Sequence, residues 1–235
     1  MTERTLVIDC GATMRVLSSA PLCGGLHRTR YILNHQVAMS LSEKKLGTAP
    51  RSFTPDEHPS RTLRRVGAIL GIHESCVGLM TAVPMTRLVI GREESNGLWV
   101  ECFATVGVTN AVRAGEPPLQ DPVVTQKPGT INVILITNGC LSHAAMVGAV
   151  QVVTETKTGV LRDHAVPSWT GRPGATGTGT DAVVIASACR RAGPWLPYSG
   201  THTAIGALMG QVVGHCVTQG LARAAEWAMR CEGSR

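Results

Sequence analysis

The stretch TINVILIT, Thr130–Thr137, decides the fold, because it is the strongest strand pattern in the chain. A run of apolar, largely β-branched residues of this length is typical of a β-strand. Ser142 follows it as a good N-cap for a helix that we expect to run to about Arg162. A second strand, DAVVIAS at 181–187, and a helix over His202–Met229 come next. This order of strand, helix, strand and helix predicts an α/β domain whose functional loops lie at strand ends.

The first half of the chain is rich in strand patterns. TLVIDC (Thr5–Cys10) and MRVLSS (Met14–Ser19) are predicted to form a strand pair around the turn at Gly11. Apolar residues at helical spacing predict a helix over Ser60–Ile72, with Ser60 as its N-cap. Further strands are expected at Tyr31–Val37, Val77–Val83, Thr86–Gly91 and Leu98–Val108, and loops at Met39–Pro59 and Ala114–Gly129. The predicted fold class is α/β, a layered sandwich with a mixed sheet and long packed helices.

Composition argues against several function classes. The 235 residues carry a net charge of +6, but the basic residues are dispersed and aromatic residues make up only 3%, so the stacking platforms of a nucleic-acid-binding protein are lacking. No window approaches the roughly 20 apolar residues of a membrane span. Eight scattered cysteines without a C-x-x-C pair, and histidines without ligand spacing, argue against a metal site and favour a reducing cytoplasm.

ATGTGTDAVVIA, Ala175–Ala186, places hydroxyls, glycines and a carboxylate directly before a strand. A phosphate cradle needs its glycine loop to lead into a helix and usually carries a lysine, so this loop is not typical of nucleotide binding. A plain turn would account for the two glycines but not for the threonines and the aspartate. We therefore expect the loop to line a polar pocket or to orient a catalytic group at the mouth of the strand.

Three other positions are candidates for chemistry. On the predicted long helix, Glu155 shares a face with Thr158, although a solvated helix face would show the same spacing. His202 opens the last helix and is either a helix cap or an acid–base group. Thr130 is either an ordinary β-branched strand residue or a nucleophile presented at a strand end.

Several motifs occur together, in order, from about Arg15 to Leu221. They are RVLSSAPLCGGL, YILNHQV, GLMTAV, TVGVTNAVRAG, PGTINVILITNGCLSHAAMV, TETKT, ATGTGTDAVVIA and YSGTHTAIGALMG. With them the chain resembles the CbiZ family, adenosylcobinamide amidohydrolase, as a single domain over 1–235. The resemblance implies hydrolysis of the amide that joins the corrin ring of adenosylcobinamide to aminopropanol. The implied products are adenosylcobyric acid, which re-enters cobalamin synthesis, and 1-amino-2-propanol. The corrinoid is then the substrate, and no cofactor is expected.

The same resemblance implies roles for individual residues. The catalytic candidates are Glu155, Asp181, His202 and Thr130. The substrate-binding candidates are Ser18, Asn34, Asn110, Lys157, Thr158, Thr176, Gly177, Thr178, Gly179 and Thr180. In the plainer mechanism Glu155 activates a water molecule, while Asp181 and His202 position groups around the amide.

A second resemblance bears on the nucleophile. The order TVGVTNAVRAG, GTINVILIT, helix and ATGTGTD is similar to the ornithine acetyltransferase and DmpA-type aminopeptidase fold. There a threonine or serine after a small residue becomes the nucleophile by self-cleavage, which implies Thr130, cut from Gly129, with Asn110 near the oxyanion. Two alternatives stay open: a corrinoid-binding protein without catalysis, and an acyl-transfer or peptide-hydrolysing enzyme that uses Thr130. The oligomeric state is open too, a homodimer included.

Overall fold

The computed structural model describes residues 3–37, 58–117, 129–190 and 192–232. In chain order its strands and helices are β1 (Thr5–Ser18), β2 (Gly25–Gln36), α1 (Pro59–Ile69), β3 (Cys76–Thr81), β4 (Val89–Ser95), β5 (Leu98–Val106), β6 (Ala111–Val112), β7 (Ile131–Thr137), β8 (Cys140–Leu141), α2 (His143–Asp163), β9 (Gly177–Thr178), β10 (Ala182–Ser187), β11 (Trp195–Leu196) and α3 (Ala204–Glu232). A short 3-10 turn, Met85–Arg87, precedes β4.

Seven strands form one mixed sheet in the order β3-β2-β1-β10-β7-β5-β4. The pairs β2/β3 and β10/β7 are parallel, and the other neighbours are antiparallel. β7, the strand from which the sequence argument starts, lies between β10 and β5, and every one of its residues is buried. A strand covered on both faces needs a nearly continuous apolar run, which is what the sequence of β7 supplies.

The sheet folds over on itself at β1. Only the last four residues of this long strand, Arg15–Ser18, pair with β10, whereas β2 follows it along most of its length. One apolar cluster joins the two halves of the sheet and includes Leu6, Ile8, Ile32, Val77 and Leu79 from one half and Ile134, Ile136 and Val184 from the other. The two halves therefore form two facing layers with a core between them.

Helices cover the two outer faces. α1 packs on β2 and β3, where Leu63 meets Leu33 and Cys76. The long helices α2 and α3 cover the other face, against a larger apolar cluster that includes Val133, Leu135, Val152, Val153, Val212 and Val213. The predicted α/β layered architecture with a mixed sheet and long packed helices is confirmed. In the described part of the chain, no helix is long and apolar enough to cross a membrane.

Two local predictions were wrong. Residues 5–18 form one continuous strand rather than a strand pair, because both halves pair with β2 across an irregularity between Asp9 and Met14. Gly11 does have a positive φ, +71°, as a turn residue would, but it lies within this irregularity of a continuous strand. The N-cap of α1 is His58, whose Nδ1 accepts the Ser60 N–H. The predicted loops at 39–59 and 114–129 lie largely outside the described residues.

Candidate active site

The Asp181 carboxylate joins three parts of the chain at the amino ends of β7 and β10. Its Oδ1 accepts the backbone N–H of Ile131 at 2.9 Å and the Thr178 hydroxyl at 2.5 Å. Its Oδ2 accepts the Thr178 N–H at 3.0 Å and pairs with Lys157 Nζ at 2.5 Å. The Lys157 and Asp181 side chains are 8% and 12% exposed, so α2, β7 and the Gly/Thr loop are tied together by a nearly buried ion pair.

The Gly/Thr loop, residues 175–181, takes its shape from β9, which pairs with β6 through Thr178 and Gly177. A Cβ on Gly177 would overlap Asp181 Oδ2 and lie 3.0 Å from Lys157 Nζ, so only glycine lets the ion pair close over the backbone. Thr176 fixes the loop on one side, where its Oγ1 accepts the Ala114 N–H at 2.9 Å. Gly179, in contrast, is exposed with open space around it.

The Gly129–Thr130 junction lies beside this loop. Thr130 is buried, and its hydroxyl donates to the Thr180 carbonyl at 2.8 Å. The Thr180 hydroxyl lies 3.1 Å from Thr130 Oγ1 and 3.3 Å from the Gly129 carbonyl oxygen. A Cβ on Gly129 would lie 2.6 Å from Asn110 Oδ1 and 2.8 Å from Thr109 Oγ1, so oxygen atoms close around Gly129 and leave no space for a side chain.

Asn110 presents a buried Oδ1 that has no hydrogen-bond partner among the described residues. Buried polar atoms are nearly always paired, so an unpaired one next to a hydroxyl cluster is typical of a functional site. Because the oxygen and nitrogen of an amide are assigned from their surroundings, the same side chain turned by 180° would direct its NH₂ group to this position.

Asn34 belongs to a second polar group that crosses from one sheet layer to the other. Its Nδ2 donates to Thr105 Oγ1 at 3.2 Å, and its Oδ1 accepts Asn132 Nδ2 at 3.0 Å. Asn132 Nδ2 also donates to the Met80 carbonyl at 2.9 Å, and Thr105 Oγ1 lies 3.5 Å from Thr81 Oγ1. Since Asn132 is two residues from Thr130, this network supports the strand that presents the Thr130 hydroxyl.

Ser18 and Thr158 lie at the same edge of the sheet. Ser18 ends β1 beside Val184 of β10, and its hydroxyl accepts the Ala20 N–H at 3.4 Å. Thr158 Oγ1 donates to the Thr176 carbonyl at 3.1 Å. Both hydroxyls therefore have structural partners.

Glu155 and His202 lie apart from this cluster. Glu155 is exposed on α2, whereas Lys157, two residues on, points into the protein. His202 is exposed three residues after Ser199, whose hydroxyl donates to the Ala145 carbonyl near the start of α2. Lys157 is about 18 Å further along the helix axis than Ala145, at 1.5 Å per residue. The structure thus brings Thr130 and Asp181 together but groups neither with His202.

Asn132, Thr105 and Thr81 were not among the predicted site residues. All three are buried within or at the end of strands and join the Asn34 network. A signal for Asn132 was present, because an amide side chain inside the apolar run INVILIT has to find a polar partner. The two threonines gave no such signal, since threonine is common in strands.

Two basic groups lie near this edge, the buried His35 and the half-buried Arg87. His35, next to Asn34 in β2, bonds Thr5 Oγ1 through Nδ1 at 2.9 Å, and burial, aided by the charge of Arg4, lowers the pKa of this imidazole. Arg87 donates to the Val106 carbonyl at 2.8 Å, and burial lowers the pKa of its guanidinium. Among the described residues, no group of three or more His, Cys, Asp or Glu side chains could hold a metal ion.

Comparison with known proteins identifies relatives over most of the chain. A family model, CbiZ, described as adenosylcobinamide amidohydrolase, matches residues 1–228. An adenosylcobinamide amidohydrolase of Methanosarcina mazei is 30% identical over 210 residues, which cover 86% of this chain and 88% of that protein. Another adenosylcobinamide amidohydrolase, of Halobacterium salinarum, is 32% identical over 164 residues, which cover 68% of this chain and 65% of that protein. An uncharacterized protein of Methanocaldococcus jannaschii is 28% identical over 235 residues, which cover 93% of this chain and 86% of that protein.

Among solved structures, the PH0078 protein of Pyrococcus horikoshii is a distant match. The two sequences are 12% identical, the superposition covers 93% of this chain and 78% of the Pyrococcus protein, and the TM-score is 0.41. A likeness this distant carries no argument about fold or function, so similarity to the ornithine acetyltransferase and DmpA-type fold stays a prediction.

Proposed function

Because the chain belongs to the CbiZ family of adenosylcobinamide amidohydrolases, we propose that it cleaves adenosylcobinamide into adenosylcobyric acid and 1-amino-2-propanol for corrinoid salvage. The chain is a hydrolase that acts on an amide. The scattered cysteines, which lack the spacing of a disulfide framework, support a cytoplasmic setting for this reaction. Exchanging an amide for a carboxylate and an amine leaves oxidation states unchanged, so the proposal includes no redox cofactor.

The observation that carries the mechanism is the Gly129–Thr130 junction. Three groups meet there: a hydroxyl at a strand end, a carbonyl in reach of a second hydroxyl donor, and the Asn110 side chain, whose Oδ1 has no partner among the described residues. Nucleophilic hydrolysis of an amide needs these three kinds of group: an attacking oxygen, a donor to the carbonyl oxygen, and a polar group near the developing oxyanion. We therefore place the reaction at Thr130.

In the first step Thr130 Oγ attacks the carbonyl carbon of Gly129. The Gly129–Thr130 C–N bond breaks, an ester forms at Oγ, and the proton of the hydroxyl passes to the released amine. Thr180 Oγ1, 3.3 Å from the Gly129 carbonyl oxygen, supplies a hydrogen bond to the negative charge on that oxygen. Water then hydrolyses the ester, which leaves a Gly129 carboxylate and a Thr130 with a free α-amine.

The free α-amine then serves as the base for the substrate reaction. It takes the proton of the Thr130 hydroxyl as Oγ attacks the substrate amide and gives a proton to the departing aminopropanol nitrogen. Asn110, with its amide NH₂ turned towards Gly129, stabilises the substrate oxyanion. Water hydrolyses the corrinoid ester at Oγ and returns the hydroxyl. Lys157 and Asp181 hold β7 and the Gly/Thr loop in register during these steps.

The alternative mechanism, in which Glu155 activates water, has weaker support because this carboxylate is exposed and lies apart from the polar cluster. A catalytic carboxylate needs hydrogen-bond reach to the water that it activates and to the amide beside it. Glu155 therefore provides the matched test of the proposal.

The proposal is tested by mass spectrometry of the purified protein and of its products with adenosylcobinamide. We expect two fragments that meet at Gly129 and Thr130, release of adenosylcobyric acid and 1-amino-2-propanol, and loss of both cleavage and activity in Thr130→Ala. Thr130→Ser keeps a hydroxyl and should retain part of both, and Glu155→Gln should remain active. Full activity from an uncleaved chain, or from Thr130→Ala, would refute the threonine mechanism. Unchanged adenosylcobinamide with every variant and with the unaltered protein would refute the activity itself.

A further inference from the structure

A cavity of about 430 Å³ lies at the other edge of the sheet, beyond the carboxyl ends of β7 and β10. Its walls are Arg15, Arg28, His143, Cys189, Arg190 and Trp195. None of these residues belongs to the Thr130 and Asp181 cluster. The size is within the range of small-molecule sites in proteins, about 300–1,000 Å³.

The cavity carries positive charge that no carboxylate of the described residues balances. Arg15 Nη1 donates to the Leu141 carbonyl at 2.8 Å, and Arg28 Nη2 lies 3.6 Å from Cys189 Sγ. Arg190 lies over the Trp195 ring, 5.8 Å from its centre. Within the described ranges, no carboxylate comes within ion-pairing distance of these three arginines. Three guanidinium groups around one cavity with no acidic partner are typical of an anion site.

The position of the cavity in the fold strengthens the positive potential. The cavity lies beyond the carboxyl ends of β7 and β10, at the start of α2, the long helix that comes after β7 in the chain. His143, in the cavity wall, is the first residue of α2, whose Ser142 cap accepts the Ala145 N–H at 2.9 Å. The partial positive charge at the start of this long helix adds to that of the three arginines.

Trp195 adds a flat apolar surface beside these charges. Its side chain is 55% exposed, although it is among the largest apolar groups in the chain. An indole face at the rim of a charged cavity is suited to stacking with a planar ring of a ligand. We propose that this cavity binds a phosphate monoester whose organic part carries a flat ring, with a nucleoside 5′-phosphate as the simplest member of the class.

This site is separate from the proposed site of hydrolysis. Thr130 precedes the first residue of β7, whereas the cavity lies beyond its last residue, Thr137. A seven-residue strand spans about 20 Å, so a ligand in the cavity does not occupy the position of the Thr130 hydroxyl. The proposal therefore does not depend on whether Thr130 is the nucleophile or on whether adenosylcobinamide is the substrate.

The test is isothermal titration calorimetry of the full chain with AMP, adenosine and inorganic phosphate, at constant ionic strength. We expect saturable binding of AMP, weaker binding of phosphate and none of adenosine. The double variant Arg28→Gln with Arg190→Gln should weaken AMP binding by at least about tenfold, because it removes two exposed guanidinium groups of the cavity wall that would pair with the phosphate. Trp195→Ala should weaken AMP binding but leave phosphate binding unchanged.

The control is Arg64→Gln, which removes an exposed arginine of α1 that is not part of the cavity wall and should leave AMP binding unchanged. Absence of saturable binding of both AMP and phosphate would overturn the proposal, as would equal binding by the double variant and the control. Equal affinity for AMP in the unaltered protein and in Trp195→Ala would overturn the proposal that Trp195 stacks on a planar ring of the ligand.

Discussion

Asp181 accepts four hydrogen bonds, and Lys157 donates one of them. The two side chains therefore differ in what each loses when its partner is removed. Lys157→Met leaves the carboxylate with three donors, and we expect it to lower the free energy of unfolding by about 1–3 kcal/mol. Asp181→Leu leaves a nearly buried ammonium group and three donors without an acceptor, and should cost about 3–5 kcal/mol. Urea unfolding followed by circular dichroism measures both values.

The matched control for this pair is Glu155→Gln, on the exposed side of the same helix, which should change the free energy of unfolding by less than about 0.5 kcal/mol. Losses of equal size for Lys157→Met and Asp181→Leu would contradict the view that the carboxylate is the centre of the cluster.

Gly177 and Gly179 offer a second comparison at the residue scale. Gly177→Ala forces a methyl group against Asp181 Oδ2 and Lys157 Nζ, and overpacking of this kind costs about 1–3 kcal/mol. Gly179→Ala places its methyl group in open space and should leave stability and hydrolysis nearly unchanged. Thermal unfolding and the rate of adenosylcobinamide cleavage, measured on both variants, check this difference. A more stable or fully active Gly177→Ala would show that the loop is not closely packed on the ion pair.

The sequence gives the composition of this cluster but not its contacts. The density of hydroxyls at 176–180 correctly indicated a polar loop before a strand. Helix periodicity grouped Glu155 with Thr158, yet only the packing of α2 on the sheet decides that Glu155 faces solvent and that Lys157 faces Asp181. That packing depends on contacts between residues far apart in sequence, which no local pattern contains.

At the scale of elements, the start of α2 illustrates what a local pattern does predict. Ser142 was expected as the N-cap, and its hydroxyl accepts the Ala145 N–H at 2.9 Å while donating to the Pro197 carbonyl at 2.8 Å. Ser142→Ala removes both bonds and should lower the free energy of unfolding by about 0.5–2 kcal/mol. Chemical denaturation detects this loss. Thr154→Ala, an exposed position on the same helix, is the control and should cost less than Ser142→Ala.

His35 of β2, which is buried against Thr5 of β1, should make the stability of the protein depend on pH. Burial lowers the pKa of His35 below its ordinary value of 6.5, so the unfolded chain binds a proton more readily than the folded one. The free energy of unfolding is therefore highest above pH 6.5. It falls as the pH drops from about 6.5 towards the lowered pKa, by at most about 1.4 kcal/mol per pH unit, and levels off below that pKa. Urea unfolding at several pH values should show a smaller loss on acidification for His35→Gln than for the unaltered protein. The exposed His73→Gln should keep the full loss, and identical pH profiles for all three would rule out His35 as the cause.

Helices and strands were predictable where a local hydrophobic pattern determines them. They were less predictable where the bounds of a strand depend on its pairing with another strand. The long helices and β7 follow from apolar spacing and run close to their expected bounds. The first strand was split wrongly because Gly11-Ala12-Thr13 looks like a turn, whereas β2 is long enough to pair with both halves. The pairing partner lies beyond the stretch that gives the turn signal.

At the scale of the whole molecule, the fold depends on how the sheet closes over itself. Asn34 and Asn132 bond across the two layers at 3.0 Å, although β2 and β7 are three places apart in the sheet. No strand pattern predicts this contact, because it arises only when the two halves of the sheet face each other. Since Asn132 lies two residues after Thr130, the same contact connects the closure of the sheet to the position of the proposed nucleophile.

A double-mutant cycle on Asn34 and Asn132 tests this connection. Asn34→Ala and Asn132→Ala each leave buried polar partners unsatisfied, and each should lower the free energy of unfolding by about 1–3 kcal/mol. Because the two side chains share one hydrogen bond, the double variant should lose less than the sum, by about 0.5–3 kcal/mol. Urea unfolding gives the stabilities, and mass spectrometry gives the extent of cleavage before Thr130, which should be slowed in both single variants. Strict additivity together with unchanged cleavage would mean that the two layers close independently of this contact, and that the strand presenting Thr130 is held by the Asp181 cluster alone.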